Sequence, residues 1–226
     1  MYSLPLEWWH AVTWLGDSAL LLPMAVWIVV WLGTWRPTRS VAVLWVLLFG
    51  GGSAIVLVSK LAFMGWGIGS ATLNFTGISG HTMLSASIWP VALWLTASKF
   101  GHRWRVAAAA VGSALAVVIG LSRLAIYAHS KSEVAAGLVL GLLVSGAFLL
   151  LQHRRPHPRL NWSLVVFSLA TPMLFVKPGT KAPTHGLLEQ IAVQMSGAER
   201  PYTREDLLRR RSGSAGSDGS DGSGIG

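Results

Sequence analysis

Three short stretches of the chain carry residue types that are suited to phosphoryl transfer. They contain Lys60, then Ser79-Gly80-His81, then Ser122-Arg123 followed by His129 and Glu133. Moving a phosphoryl group to water requires a nucleophile, positive charge on the phosphate oxygens and an acid for the leaving oxygen. Two histidines, an arginine, a lysine and one carboxylate can together supply these functions.

His129 and Glu133 form the most specific pair in these stretches. They stand four residues apart, the spacing at which two residues share one face of a helix. A carboxylate on the far nitrogen of an imidazole fixes its tautomer and stabilises the cation that forms when the ring attacks phosphorus. Glu133 is the only carboxylate between Asp17 and Glu189, so no other internal acid is a candidate for this role.

The remaining groups are suited to holding phosphate. Arg123 offers a planar fork that matches phosphate oxygens, and Lys60 adds a point charge. Ser79 and Gly80 precede an apolar run, so they can present a hydroxyl and free backbone amides at the N-terminus of a helix. His81, at the same N-terminus, is placed to act as the general acid.

The composition indicates that membrane helices position these groups. Of the 226 residues, 52% are hydrophobic and only 12% are charged, whereas soluble domains carry about 25% charged residues. Twelve tryptophans suit a protein with two membrane interfaces. The absence of cysteine excludes disulfides and thiolate metal ligands.

We predict an all-α integral membrane protein, a bundle of six transmembrane helices, because six apolar runs approach the length that crosses a bilayer. The predicted spans are 19–35, 41–63, 82–98, 106–124, 134–151 and 162–176. These spans make residues 1–176 one transmembrane domain. Residues 177–211 are predicted to form an amphipathic interfacial segment, and the Ser-, Gly- and Asp-rich residues 212–226 a disordered tail.

Basic residues orient the predicted bundle. They follow the first, third and fifth spans, at Arg36, Arg39, Lys99, Arg103, Arg105, Arg154, Arg155 and Arg159. Such loops face the cytoplasm, so the motif-bearing loops would lie on the extracytoplasmic side, the periplasmic side of a bacterial inner membrane. The net charge of +9 could suggest nucleic-acid binding, but these loop residues supply much of it and are explained by the membrane orientation. We therefore expect no nucleic-acid partner. The first nine residues lack a basic region, which disfavours a cleaved signal peptide.

Ser79-Gly80-His81, together with Ser122-Arg123, His129 and Glu133, resembles the second and third motifs of the type 2 phosphatidic acid phosphatase superfamily. Members share a six-helix membrane core and dephosphorylate lipid phosphates or pyrophosphates without a metal. The resemblance implies that His129 is the nucleophile and His81 the acid. It implies that Lys60, Ser79, Gly80 and Arg123 bind phosphate, and that no cofactor is needed.

Two positions depart from the family pattern. The first motif of the family has a lysine, six residues and then Arg-Pro, whereas Gly67 and Ile68 stand at those positions after Lys60. One phosphate-binding arginine is therefore absent and the first motif is degenerate. Glu133 replaces the usual aspartate and reaches one methylene further.

The sequence thus predicts a membrane-embedded, metal-independent phosphatase that acts on a lipid phosphate or pyrophosphate through a phosphohistidine. Phosphatidate, phosphatidylglycerophosphate, undecaprenyl pyrophosphate and lipid A phosphates are all compatible substrates. A lipid phosphotransferase is the nearest alternative, and a catalytically weak protein that binds or transports anionic lipid is the alternative outside enzymes. Vanadate-dependent haloperoxidases have a similar oxyanion cradle, but they are soluble.

Overall fold

The structure, a computed structural model, describes residues 5–152 and 184–209. Its described part is helical, which confirms the all-α prediction. The helices are α1 Leu6–Trp14, α2 Ser18–Gly33, α3 Arg39–Trp66, α4 Gly80–Thr96, α5 His102–Ala125, α6 Lys131–Gln152 and α7 Thr184–Ser196. Short 3-10 turns, Arg36–Thr38 and Ala97–Lys99, connect two of the pairs.

Among the described residues, four segments are long and apolar enough to cross a membrane: Leu6–Gly33, Arg36–Trp66, His102–Ala125 and Lys131–Gln152. They overlap the predicted first, second, fourth and fifth spans. The predicted third span is α4, which has 17 residues and is buried along most of its length. The predicted sixth span, 162–176, and the tail 212–226 lie outside the described residues.

The N-terminal region differs from the predicted single span 19–35. Helix α1 precedes α2, and the chain turns between them before Asp17 caps α2 by accepting the amide of Ala19 at 2.8 Å. Gly16 lies in this turn. A Cβ there would be 2.5 Å from Ile119 and 2.9 Å from the hydroxyl of Ser85, so the turn approaches α5 and α4 closely.

Helix α4 is the centre of the bundle, since α2, α3, α5 and α6 all pack against it. Glycines make the closest approaches possible. A Cβ on Gly112 of α5 would lie 2.6 Å from the backbone of Trp89 and Pro90. Gly137 and Gly141 of α6 come as close to the backbone of α4. In a membrane the hydrophobic effect does not drive helices together, because lipid tails are equally apolar. Small residues allow the close van der Waals packing that does.

Gly137 provides a test of this packing. A Cβ there would be 2.7 Å from the carbonyl of Ser79, so we expect Gly137→Ala to push α6 from α4 and destabilise the protein by about 1–3 kcal/mol. Gly146, on the same helix, has no atom within 4 Å of its added Cβ, and Gly146→Ala should leave stability equal or higher. Thermal unfolding in detergent measures both. Equal melting temperatures would contradict the packing role.

The two ends of the bundle differ in chemistry. The basic residues of the α2–α3 and α4–α5 connections lie at the end opposite the motif-bearing loops, as the charge pattern predicts. Arg105 is an exception to simple loop solvation, because it is only 6% exposed and its guanidinium lies 3.3 Å from the ring centre of Trp94.

The C-terminal segment contains the predicted helix, α7, which packs on α3. Its apolar stripe is only partly covered: Ala192 is buried, whereas Leu187 and Met195 are exposed. A second helical stretch, 204–209, begins with a capping box formed by Thr203 and Asp206. Thr203 donates its amide to the carboxylate of Asp206 at 2.9 Å, and Asp206 returns its amide to the Thr203 hydroxyl at 3.4 Å.

Candidate active site

The sequence motifs converge at one end of the bundle. Helices α3 and α5 end there, and α4 and α6 begin there. Lys60, His81, Arg123, His129 and Glu133 are close enough to interact electrostatically. The structure therefore brings together the residues that the sequence singles out.

A tight turn after α5 delivers His129 to this end. Tyr127 adopts a left-handed conformation, with φ of 56°, and the amides of Ala128 and His129 both donate to the carbonyl of Arg123, at 3.0 and 3.3 Å. This is the Schellman-type end of a helix, in which glycine usually occupies the left-handed position. Because the turn closes on the carbonyl of Arg123, the backbone of His129 lies close to that of Arg123 although the two residues are six positions apart in the sequence.

His129 and Glu133 form the predicted pair. Nδ1 of His129 lies 2.8 Å from Oε2 of Glu133, whose side chain is fully buried. Thr76 donates its amide and its hydroxyl to Oε1 at 2.8 and 2.6 Å, and the amide of Ser130 donates to Oε2 at 3.1 Å. With Nδ1 engaged, Nε2 is the nitrogen that remains for a substrate.

The pKa of His129 lies below its usual range because burial disfavours the charged ring. The hydrogen bond and charge of Glu133 oppose this effect, and the cations Arg123 and Lys60 add to it. A lowered pKa favours the neutral imidazole at neutral pH, which is the form that a nucleophile requires.

The N-terminus of α4 is the predicted anion cradle. Ser79 precedes the helix, and its side chain makes no capping bond to it. The first amides of a helix have no partner within it, so Gly80 and His81 can offer theirs to an anion. The Ser79 hydroxyl is buried, 3.0 Å from that of Thr82, and the Ser79 amide donates to the carbonyl of Glu133 at 3.1 Å.

Lys60 lies beside this cradle. A Cβ on Gly80 would be 3.8 Å from the Lys60 ammonium nitrogen. The stem of Lys60 packs under the loop at Gly77, where an added Cβ would be 3.2 Å from Cγ and where φ is +129°. Both the space and the backbone angle at Gly77 favour glycine, so this loop fits closely over the lysine.

Arg123 is held by Thr13, a residue that belongs to none of the sequence motifs. Its Nη1 donates to the hydroxyl of Thr13 in α1 at 3.0 Å. Its Nε is buried and has no hydrogen-bond partner among residues 5–152 and 184–209. A guanidinium anchored at one nitrogen with another donor free is well suited to an oxyanion.

Asp17 is a second group at this end of the bundle that no sequence motif identifies. Its Oδ2 lies 3.6 Å from Nε2 of His81, and it also interacts electrostatically with Arg123. Glu133 is therefore not the only carboxylate at this end of the bundle. In the sequence Asp17 has the signature of a helix cap, which it also is, and nothing in its spacing connects it with His81.

Arg204 is the third missed residue. It comes from the C-terminal segment and donates from Nη2 to both oxygens of Glu133, at 2.9 and 2.8 Å. In the sequence it is one of several basic residues in the segment 177–211, and no motif distinguishes it from the others.

The absent arginine of the first motif has a local structural explanation. Gly67 ends α3 in a left-handed conformation, with φ of 66°, and Ile68 after it is 65% exposed. A side chain at Gly67 would strain this cap. Gly67 therefore forms the end of α3 at the position where the family pattern has a phosphate-binding arginine.

This end of the bundle combines a buried imidazole–carboxylate pair with an arginine, a lysine and a helix N-terminus, groups that are chemically suited to phosphoryl transfer. The sequence model of the PAP2 superfamily matches residues 59–157, which contain all three motif stretches. An uncharacterized 22.5 kDa protein in the cps region of Klebsiella pneumoniae is 46% identical over 205 residues, which are 89% of this chain and 98% of that protein.

The crystal structure of the first transmembrane PAP2 type phosphatidylglycerolphosphate phosphatase from Bacillus subtilis is also similar. It shares 25% sequence identity with a TM-score of 0.52, covering 66% of this chain and 77% of that one. The chain belongs to the PAP2 superfamily, as its motifs predict. It is an integral membrane protein with a phosphatase-type function.

Proposed function

We propose that the protein hydrolyses a lipid phosphate or lipid pyrophosphate through a phosphohistidine on His129. The observation that carries this proposal is the buried contact of 2.8 Å between Nδ1 of His129 and Glu133, which leaves Nε2 for phosphorus. The loop charges support an active site on the extracytoplasmic face of a bacterial inner membrane.

In the first step the lone pair of Nε2 attacks phosphorus and the P–O bond to the leaving group breaks. His81 gives its proton to the leaving oxygen, while Arg123, Lys60 and the amides of α4 stabilise the charge on the three remaining oxygens. Glu133 holds the proton on Nδ1 and stabilises the imidazolium that forms.

In the second step water attacks phosphorus and the P–N bond breaks. His81, now neutral, takes a proton from this water, and the bond electrons return to Nε2 of His129. Phosphate leaves with His81 protonated and His129 neutral, so both residues regain their starting states. Asp17, beside His81, can hold the orientation of that ring through both steps.

Phosphate release from a panel of lipid phosphates, measured with the purified protein and a chelator present, tests this function. The panel would contain phosphatidate, phosphatidylglycerophosphate, an isoprenyl pyrophosphate and lipid A phosphates. We expect turnover that the chelator does not affect and an alkali-stable, acid-labile phosphoprotein during turnover. Release that requires an alcohol acceptor would indicate a phosphotransferase, and lipid binding without release would indicate a binding protein.

The lowered pKa of His129 predicts the pH dependence. Since the nucleophile must be neutral, the acidic limb of the kcat/KM profile should lie below about pH 6.5, the ordinary histidine value. The measurement is a profile of kcat/KM from acidic to neutral pH. An acidic limb centred above neutral pH would contradict a buried, neutral His129 in the free enzyme.

A further inference from the structure

The Glu133 carboxylate is more heavily bonded than a simple histidine partner requires. It accepts from His129, from two groups of Thr76, from the Ser130 amide and from Arg204. A buried carboxylate of this kind can be held in one orientation only if each oxygen has fixed donors. Glutamate has one more rotatable bond than aspartate, so its orientation needs more such constraints.

Arg204 contributes to two elements at once. Its Nη2 donates to both oxygens of Glu133 and lies 3.2 Å from the Thr76 hydroxyl. Its Nη1 donates to Asn74, to the carbonyl at 3.1 Å and to the side-chain oxygen at 2.7 Å. Asn74 is in a left-handed conformation, with φ of 50°. One guanidinium therefore fixes the α3–α4 loop relative to the start of α6.

The C-terminal segment is itself anchored, so Arg204 arrives in a defined place. The amide of Tyr202 donates to the carbonyl of Met64, near the end of α3, at 2.8 Å. Gly65 beside it allows α7 to approach, since its Cβ would lie 3.2 Å from the carbonyl of Ala192. The helical stretch 204–209 then places Leu207 in a buried position.

Arg204 contacts the Glu133 carboxylate, which lies at the Nδ1 edge of His129 and not at the Nε2 edge where phosphate would bind. Nδ1 of His129 faces Glu133, so the attacking nitrogen, Nε2, is on the opposite edge of the ring. The donors of Arg204 are directed to Glu133, Thr76 and Asn74. Arg204 is therefore not a replacement for the arginine that is missing after Lys60.

We infer that Arg204 is a positioning residue, which fixes the Glu133 carboxylate against His129 and so sets the orientation and charge state of the nucleophile. This inference rests on the proposed function of His129. It assigns a role in the site to the C-terminal segment, about 70 residues beyond the last motif.

The test compares Arg204→Gln and Arg204→Lys with Arg209→Gln. Arg209 is exposed in the same helical stretch, so it is a matched control for loss of an arginine. We expect Arg204→Gln to lower kcat about 10- to 100-fold, by analogy with the loss of a partner that orients a metal-ligating residue, with KM within about 3-fold. Arg204→Lys should retain an intermediate kcat, and Arg209→Gln should match the wild type.

A second readout does not require turnover. NMR titration of the histidine rings, with His129 assigned through His129→Ala, reports the charge state of the nucleophile directly. The charged and titratable groups around His129 are Lys60, His81, Arg123, Glu133, Arg204 and, beyond His81, Asp17. Removing the cation that neutralises Glu133 should raise the pKa of His129 in Arg204→Gln, whereas Arg204→Lys and Arg209→Gln should leave it near the wild-type value.

The two readouts separate the possible failures. A wild-type protein without phosphatase activity would refute the proposed function, while the titration would still decide the role of Arg204. Unchanged kcat and an unchanged His129 titration in Arg204→Gln would overturn the inference alone. A raised KM with normal kcat would indicate that Arg204 binds the substrate phosphate instead, which also overturns the inference.

Hydrogen exchange in 184–209 shows whether the segment stays docked, and undocking in Arg204→Gln with normal kcat overturns the inference too. If Arg204→Gln does not fold, an intermediate kcat with unchanged KM in Arg204→Lys supports the inference, and a wild-type kcat overturns it.

Discussion

Replacing His129 by alanine is expected to reduce phosphate release by at least about 10⁴-fold, or about 5.4 kcal/mol of transition-state stabilisation. In the proposed mechanism the change removes the atom that bonds to phosphorus, and no other imidazole at this end of the bundle has a buried carboxylate at 2.8 Å. The comparison covers the part of the chain that the structure describes. Initial rates on the best substrate of the lipid panel, with 32P-labelled phosphoprotein trapping, measure the loss.

His102→Ala is the matched control, because His102 begins α5 at the opposite end of the bundle and is exposed. It should retain the wild-type rate. If His129→Ala retained a substantial rate on every lipid phosphate, or if the labelled phosphate appeared on another residue, the proposed mechanism would be wrong.

Replacing Arg123 by lysine should lower kcat about 10²- to 10³-fold, although the charge is kept. The guanidinium is anchored to Thr13 by Nη1 and has a buried Nε without a partner in the described residues. A lysine ammonium cannot make the anchoring bond and the bonds to phosphate from one rigid plane. Losing a single well-placed donor to a transition-state oxyanion has an effect of this size.

Arg103→Lys tests the same substitution at the other end of α5, where the side chain is exposed, and it should have no effect on kcat. Steady-state kinetics on both variants, with circular dichroism as a folding check, make the comparison. A wild-type kcat for Arg123→Lys would mean that charge alone is required at this position and that the anchored geometry is unimportant.

The contact between His129 and Glu133 could be predicted from the sequence because it is local. His129 lies just before α6 and Glu133 in the first turn of that helix, so a separation of four residues keeps them close although they do not share one helical face. The helices that carry the motifs could be predicted for a similar reason, since a bilayer imposes length and apolarity on each span. The i, i+4 spacing and the apolar runs therefore account for most of the correctly predicted geometry.

Asp17 and Arg204 could not be predicted, because their contacts depend on tertiary packing. Asp17 lies 64 residues before His81 and reaches it through the glycine-tight turn at Gly16. Arg204 reaches Glu133 because α7 docks on α3. The apolar stripe of α7 predicts an amphipathic helix, but no pattern in the sequence identifies the partner on which either segment docks.

The contact of Arg204 with Glu133 has a consequence for biosynthesis. A nascent chain that has emerged only as far as the end of α6 already contains both histidines and Arg123, but its glutamate lacks the arginine partner. We expect such a membrane-inserted intermediate to hydrolyse lipid slowly and to gain its full rate only after translation passes the C-terminal segment. The need for docking of the segment 184–209 would then delay full activity until this segment has been made and folded against α3.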